Sequence, residues 1–246
     1  MAEPLAIYRL GRRDFAQVLH LQRALCRARL AGHLRQDLLL LVEHQPVVTL
    51  GRGTKPGSLP IAPSDLADRG IAVHEVERGG DVTYHGPGQL VGYPILDLQA
   101  HRPDLHWYLR TLEAALIDAL EILGVAGDRV EGLTGVWVQN RKIASIGVHV
   151  KQWVTFHGFA LNVTTRLDAF DLIVPCGIKD VVMTSLAQEL AWGDNPATLW
   201  HEAESVVAGS TARAFGLSPL EADPAELSGI ERSFQEPSPA NHTGVR

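Results

Sequence analysis

Hydrophobic positions recur along this chain with two different periods. Residues 4–10, "PLAIYRL", read as a strand. Over residues 14–30, Phe15, Val18, Leu19, Gln22, Leu25 and Cys26 share one helical face while Arg23, Arg27 and Arg29 mostly take the other, which predicts an amphipathic helix with Asp14 as its N-cap. The continuous apolar run "DLLLLVEHQPVVTLG" (37–51) predicts a buried strand interrupted near Pro46. "APSDLADRG" reads as a short helix capped by Ser64 and stopped by Gly70. "IAVHEVERGG" and "QLVGYPILDL" read as strands, with "DVTYHGPG" as a loop between them. A long helix is predicted over residues 105–123, ended by Gly124. Residues 135–163 then alternate as antiparallel strands do, with turns at Asn140 and Arg141 and near Lys151 and Gln152. A last helix runs from about Asn195 to Gly216. Beyond Leu217, prolines and acids displace apolar periodicity, which predicts a loose tail. The expected organisation is one domain over residues 1–216 and a disordered tail over 217–246. The expected class is α+β, a mixed and largely antiparallel sheet packed with helices.

Composition narrows the possible functions. The 246 residues are 46% hydrophobic and carry a net charge of -6, an ordinary globular balance without the basic excess of a nucleic-acid-binding surface. No run approaches the length needed to span a bilayer. The start, "MAEPLAIYRLGRRDF", lacks a basic leader with an apolar core, so a cytoplasmic protein is expected. Cys26 and Cys176 are the two cysteines of the chain, which make no disulfide framework. Cys26 fits the buried face of the first helix. Cys176 has no periodic context and stands between Pro175 and Gly177, where the chain turns.

The densest unusual composition is "ERGGDVTYHGPGQLVGYP" (77–94), with Gly79, Gly80, Gly86, Gly88 and Gly92 among Arg78, Thr83, Tyr84, His85 and Gln89. Glycines there let backbone approach a ligand; two tight turns between strands would use the same residues. No phosphate-loop or dinucleotide pattern occurs. "GRGTKPG" (51–57) fits neither pattern and reads as a surface loop. The 11 histidines show no metal-ligand spacing, so no metal is expected. His85 is the histidine expected to be functional, whereas His149 and His157 fit a sheet face equally well. A nucleophilic cysteine needs a nearby base or cation. Lys142, just after a predicted hairpin turn, would serve; from its position alone it reads as a solvated edge charge.

The segment "RGGDVTYHGPGQLVGY", followed in order by "GVWV", "RKIASIGVHV", "WVTFHGFALNV", "PCGIKD" and "TSL", resembles the signature of the lipoyl(octanoyl) transferases, and the match covers most of residues 37–190. Gln152, where an arginine is common, and Met183 before "TSL" depart from it. The resemblance implies a fold shared with biotin and lipoate protein ligases. It implies Cys176 as the nucleophile toward an octanoyl thioester and Lys142 as its base. It further implies substrate contacts from Arg78, Gly79, Gly80, Asp81, Val82, Thr83, Tyr84 and His85, from Ser145, Ile146 and Gly147, and from Gly158, Phe159 and Ala160. The implied donor is octanoyl-acyl carrier protein. The implied acceptors are lipoyl domains of 2-oxoacid dehydrogenase complexes and the glycine cleavage H protein. No cofactor, nucleic acid or membrane is implied. Arg12, Arg13, Arg52, Lys55 and Arg78 are candidates for a cationic face toward an acidic carrier. The rival readings are an ATP-dependent lipoate or biotin ligase of the same fold and a non-catalytic module that binds lipoyl domains or acyl carriers.

Overall fold

The computed structural model describes residues 2–174 and 181–234. Among them, twelve strands form two sheets. The larger sheet runs β12 (Ser218–Ala222), β1 (Pro4–Arg13), β2 (Asp37–His44), β6 (Gln89–Ile95), β10 (Val154–Asn162), β9 (Arg141–Lys151), β8 (Leu133–Val138) and β7 (Asp128–Val130), with β11 (Val182–Met183) also paired to β9. The pairs β2–β6, β6–β10, β10–β9, β9–β8 and β8–β7 are antiparallel, whereas β1–β12, β1–β2 and β9–β11 are parallel. The smaller sheet is β4 (Ala72–Glu75), β3 (Val47–Leu50) and β5 (Val82–His85).

The unbroken apolar run of β2 follows from its central place. Leu39 and Leu41 face a core shared with α3 (Leu105–Ile122) and α5 (Pro196–Ala214). Leu38, Leu40 and Val42 face the opposite core beneath α1 (Phe15–Leu30). A strand covered on both faces has no solvent side on which to place polar residues. Pro46 then marks the passage from the large sheet into the small one, since β2 and β3 pair in different sheets.

Local chemistry sets the element ends. Asp14 accepts from Gln17 N at 3.0 Å as the cap of α1, and Cys26 is buried, its thiol pushed up to about 11 by burial. Gly124 takes φ +84° just past α3, a conformation that costs a side chain but not glycine. Two short helices complete the middle of the chain, α2 (Pro63–Ala67) and α4 (Leu186–Glu189). The N-cap of α2 is Ala62, without a side-chain hydrogen bond, and Ser64 lies inside the helix.

Three regions differ from the sequence reading. Residues 82–85 are strand β5 and not loop, because their backbone pairs with β3. Ser218–Ala222 and α6 (Leu227–Ser233) lie within the stretch read as a loose tail. Parallel pairing of β12 to β1 organises them, with the Arg9–Glu221 ion pair at 2.8 Å and Leu227 buried in the core beneath α1. Polar edge strands are normal, and their composition conceals them. No helix among the described residues is long and apolar enough to cross a membrane.

Candidate active site

The glycine-rich loop after β4 turns its arginine inward. The Arg78 side chain is buried, with Nη2 donating to Thr49 O at 2.7 Å and to Thr49 Oγ1 at 2.9 Å, Nε to Thr49 Oγ1 at 3.2 Å, and Nη1 to Gly79 O at 3.1 Å. The expectation of Arg78 on an open cationic face is therefore corrected: its guanidinium braces the loop from inside. Arg12 is exposed but paired with Glu43 at 2.7 Å, and Arg52 and Lys55 are exposed. Backbone bonds fix the loop from two sides, Arg52 N to Arg78 O, Gly53 N to Gly80 O, and Gly79 N to Val148 O at 2.8 Å. A Cβ on Gly51 would sit 2.4 Å from Gly80 O. The start of the 51–57 segment is thus a packing partner of the loop and not a free surface excursion. Asp81 accepts from Ser58 Oγ at 2.8 Å and from Val82 N at 2.7 Å.

Val148 belongs to β9, and the two other predicted segments meet there. Ser145 pairs with Ala160, Ile146 with Phe159, and Gly147 with Gly158 across β9 and β10. These segments are therefore directly opposite one another. The β9–β10 face and the loop enclose a cavity of about 190 Å³. Its wall includes Arg78, Gly80, Asp81, Val82, Thr83 and His85 from the loop and β5. Lys142, Ser145, Ile146 and Gly147 come from β9, and Gly158, Phe159 and Ala160 from β10. Val91, Leu133, Trp137 and Phe170 extend the apolar part. Gly79 touches β9 through its backbone, and Tyr84 packs away from the cavity against Phe170, ring centroids 5.7 Å apart.

Lys142 is only 3% exposed, so it is not a solvated edge charge. Its Nζ stands 5.4 Å from the Trp137 ring centroid, a cation–π distance. Gly135 makes room for it, since a Cβ there would come within 2.8 Å of Lys142 Cε. β11 lies alongside, with Met183 in register with Lys142 and Thr184 N donating to Lys142 O at 2.9 Å. Cys176 falls outside the described residues. The described chain ahead of it ends at Val174, whose N–H bonds Ser58 O at 2.9 Å, and resumes at Val181 in the cavity wall.

Around the cavity lie buried polar groups, of which the sequence reading singled out His85 and passed over His44 and Asn162. His85 Nδ1 is 2.7 Å from Gln89 Oε1, and Gln89 Nε2 donates to Asn162 Oδ1 at 2.9 Å and to Tyr84 O at 3.3 Å. Asn162 Nδ2 donates to Thr184 O at 3.0 Å. His44 bridges Arg13 O and Tyr93 Oη, at 3.1 and 2.8 Å. Burial, with His44 and Arg78 nearby, pushes His85 down to about 3, and burial pushes His44 down to about 4. His157 is also buried in the wall, at φ +55°, with Nε2 3.7 Å from Glu77 Oε2. His149 Nδ1 donates to Glu77 O, 3.0 Å away, and His149 does not line the cavity. The signal for these groups was present in the sequence: polar residues at positions 44, 89, 157 and 162 interrupt otherwise apolar strands.

Comparison with known proteins shows the family and the fold. The family model described as the lipoyl protein ligase A/B catalytic domain matches residues 14–210. A protein of Nostoc punctiforme named octanoyltransferase is 44% identical over 90% of this chain and 93% of its own length. One of the same name from Gloeobacter violaceus is 51% identical over 80% and 83%. Among solved structures, the bi-partite lipoate protein ligase of Thermoplasma acidophilum superposes with a TM-score of 0.69 at 15% identity, covering 94% of this chain and 91% of that one.

Proposed function

The chain belongs to the family of lipoyl protein ligase A/B catalytic domains, and from that premise we propose that it carries an octanoyl group on Cys176 as a thioester, with Lys142 as the base. The chain transfers octanoyl groups in protein lipoylation, and a lipoyl domain is the acceptor. The donor in this reading is octanoyl-acyl carrier protein. The acceptors are lipoyl domains of 2-oxoacid dehydrogenase complexes and the glycine cleavage H protein.

In the first half Lys142 Nζ takes the Cys176 proton, and the thiolate adds to the carbonyl carbon of the donor thioester. The carrier's sulfur leaves and recovers that proton from Lys142. One thioester replaces another, so the exchange is close to isoenergetic and needs no nucleotide. In the second half the lysine amine of the lipoyl domain attacks the Cys176 thioester. The C–S bond breaks, one amine proton returns to the Cys176–Lys142 pair, and a stable amide forms. Lys142 thus serves both halves as acid and base. The apolar part of the cavity suits the acyl chain, whose seven methylene and methyl groups gain about 0.8 kcal/mol each on burial.

The observation that carries the reading is a buried primary amine in the wall of an apolar cavity, beside the point where the chain returns from Cys176. Mixing the protein with octanoyl-acyl carrier protein and weighing it intact tests it. The expected result is one octanoyl increment, released by hydroxylamine and absent from Cys176→Ala. No increment, together with ATP-dependent use of free octanoate, would instead identify the ligase reading. Specific binding of donor and acceptor without any turnover would identify a non-catalytic module.

A further inference from the structure

Two backbone carbonyls dictate the protonation state of a histidine in the cavity wall. A carbonyl oxygen only accepts, so the Asn162 atom 3.0 Å from Thr184 O is the amide nitrogen, and Asn162 Oδ1 faces Gln89. Gln89 in turn sets its own nitrogen toward Asn162 Oδ1 and Tyr84 O. That leaves Gln89 Oε1 against His85 Nδ1 at 2.7 Å, and a hydrogen bond there requires the proton on Nδ1. With burial disfavouring the imidazolium, His85 is neutral and Nε2 is a bare lone pair. Among the described residues no partner stands at Nε2, and the ring lines the cavity. Its orientation is held further by Phe15, stacked at 6.1 Å between ring centroids. Gln89 and Asn162 are both buried at 2% and 1% exposure. Thr184, which receives the Asn162 bond, also donates to Lys142 O, so one run of hydrogen bonds joins the histidine side of the cavity to the lysine side.

A lone pair of this kind is selective. It cannot bind the thioester carbonyl or a developing oxyanion, both of which accept. The donors among the reacting groups are the Cys176 thiol, whose proton goes to Lys142, and the N–H groups of the attacking amine. We propose that His85 Nε2 receives an N–H of the acceptor lysine in the second half-reaction, aiming the nitrogen lone pair at the thioester carbon, and that Gln89 and Asn162 are positioning residues which fix the tautomer that makes this possible. The assignment rests on the thioester reading above and extends it from the nucleophile to the incoming amine. It adds no proton transfer: His85 accepts a hydrogen bond, and the amine proton follows the path through Cys176 and Lys142.

The test separates the halves by single-turnover mass spectrometry, following octanoyl arrival from octanoyl-acyl carrier protein and its departure to an isolated lipoyl domain. His85→Asn keeps an amide donor for Gln89 Oε1 but has nothing at the Nε2 position, whereas His85→Gln can place its carbonyl oxygen there. In His85→Asn the departure step slows about 10-fold more than arrival, the effect of one lost hydrogen bond, and His85→Gln recovers much of that excess. Gln89→Met, which keeps volume, converts the imidazole ¹⁵N signature of His85 from a single Nδ1–H tautomer to a mixture. Equal slowing of both halves in His85→Asn, or an Nε2–H tautomer in the unmodified protein, overturns the assignment while leaving the thioester intact. A protein that transfers octanoate without ever carrying it overturns the thioester reading and this assignment together.

Discussion

The two ends of β2 bury ionisable groups under opposite rules. At its start, Asp37 accepts from Arg29 Nη2 at 2.8 Å and from Asp97 N at 3.2 Å, and it pairs with His101 Nε2 at 2.5 Å. At its end, the hydrogen-bond partners of His44 among the described residues are the neutral Arg13 O and Tyr93 Oη. The Asp37 hydrogen bond raises His101 against the opposing effect of burial, while burial lowers His44 to about 4. The carboxylate in contact therefore favours the charged form of His101, whereas the more deeply buried His44, with no carboxylate hydrogen-bonded to it, is held toward its neutral form. The cavity lies at the neutral end, with His85 and Phe15 against His44. On this side of the cavity the neutral, buried His85 suits an amine that must lose its charge to react.

The comparison breaks most severely at its charged end. Asp37→Asn leaves Arg29 and His101 without their anion in a site where all three side chains are largely buried, and removing one member of a buried pair costs about 3–5 kcal/mol. Urea unfolding should show that loss. A loss under 1 kcal/mol would mean that water reaches the cluster. At the neutral end the effect is smaller and depends on the partner. His44→Phe removes the 2.8 Å partner of the Tyr93 hydroxyl and should cost about 1–3 kcal/mol, most of it recovered in the double variant with Tyr93→Phe, because removing both partners avoids a poorly satisfied group.

The smallest effects are in pH dependence, and their signs differ. His101 is raised on folding, so its contribution is fully present below its ordinary pKa and fades as pH rises through the folded value. His44 is lowered, so the unfolded chain binds more protons between about pH 6.5 and 4, and stability falls as the solution is acidified across that window. The stability difference between the unmodified protein and His101→Gln should shrink above neutrality. That between the unmodified protein and His44→Phe should shift against the unmodified protein on acidification. Equal slopes for the two would remove the distinction between the ends of the strand.

Much of this arrangement was legible in the sequence where local chemistry governs it. Asp14 as cap, Pro46 as interruption, Gly124 as stop and the alternation over residues 135–163 each act over a few residues, and the structure follows them. The short strand 82–85 was hidden because glycines flank it and its partner β3 lies in another segment. The Asp37 cluster was hidden because residues 29, 37 and 101 share no spacing and meet only through the fold. The residues around the cavity were legible by family resemblance and not by periodicity. Lys142 shows the limit of position alone, since the start of a strand after a turn ordinarily faces solvent, yet here Trp137 and β11 enclose it.

The account rests on Lys142 ionising Cys176, and the alkylation rate of that thiol against pH measures it directly. In the unmodified protein a small alkylating agent should modify Cys176 rapidly at neutral pH, with the protected Cys26 unreactive. In a folded Lys142→Met variant the neutral-pH rate should drop by about 100-fold or more, and the profile should move toward alkaline pH. Superimposable profiles for the two proteins would contradict the pairing.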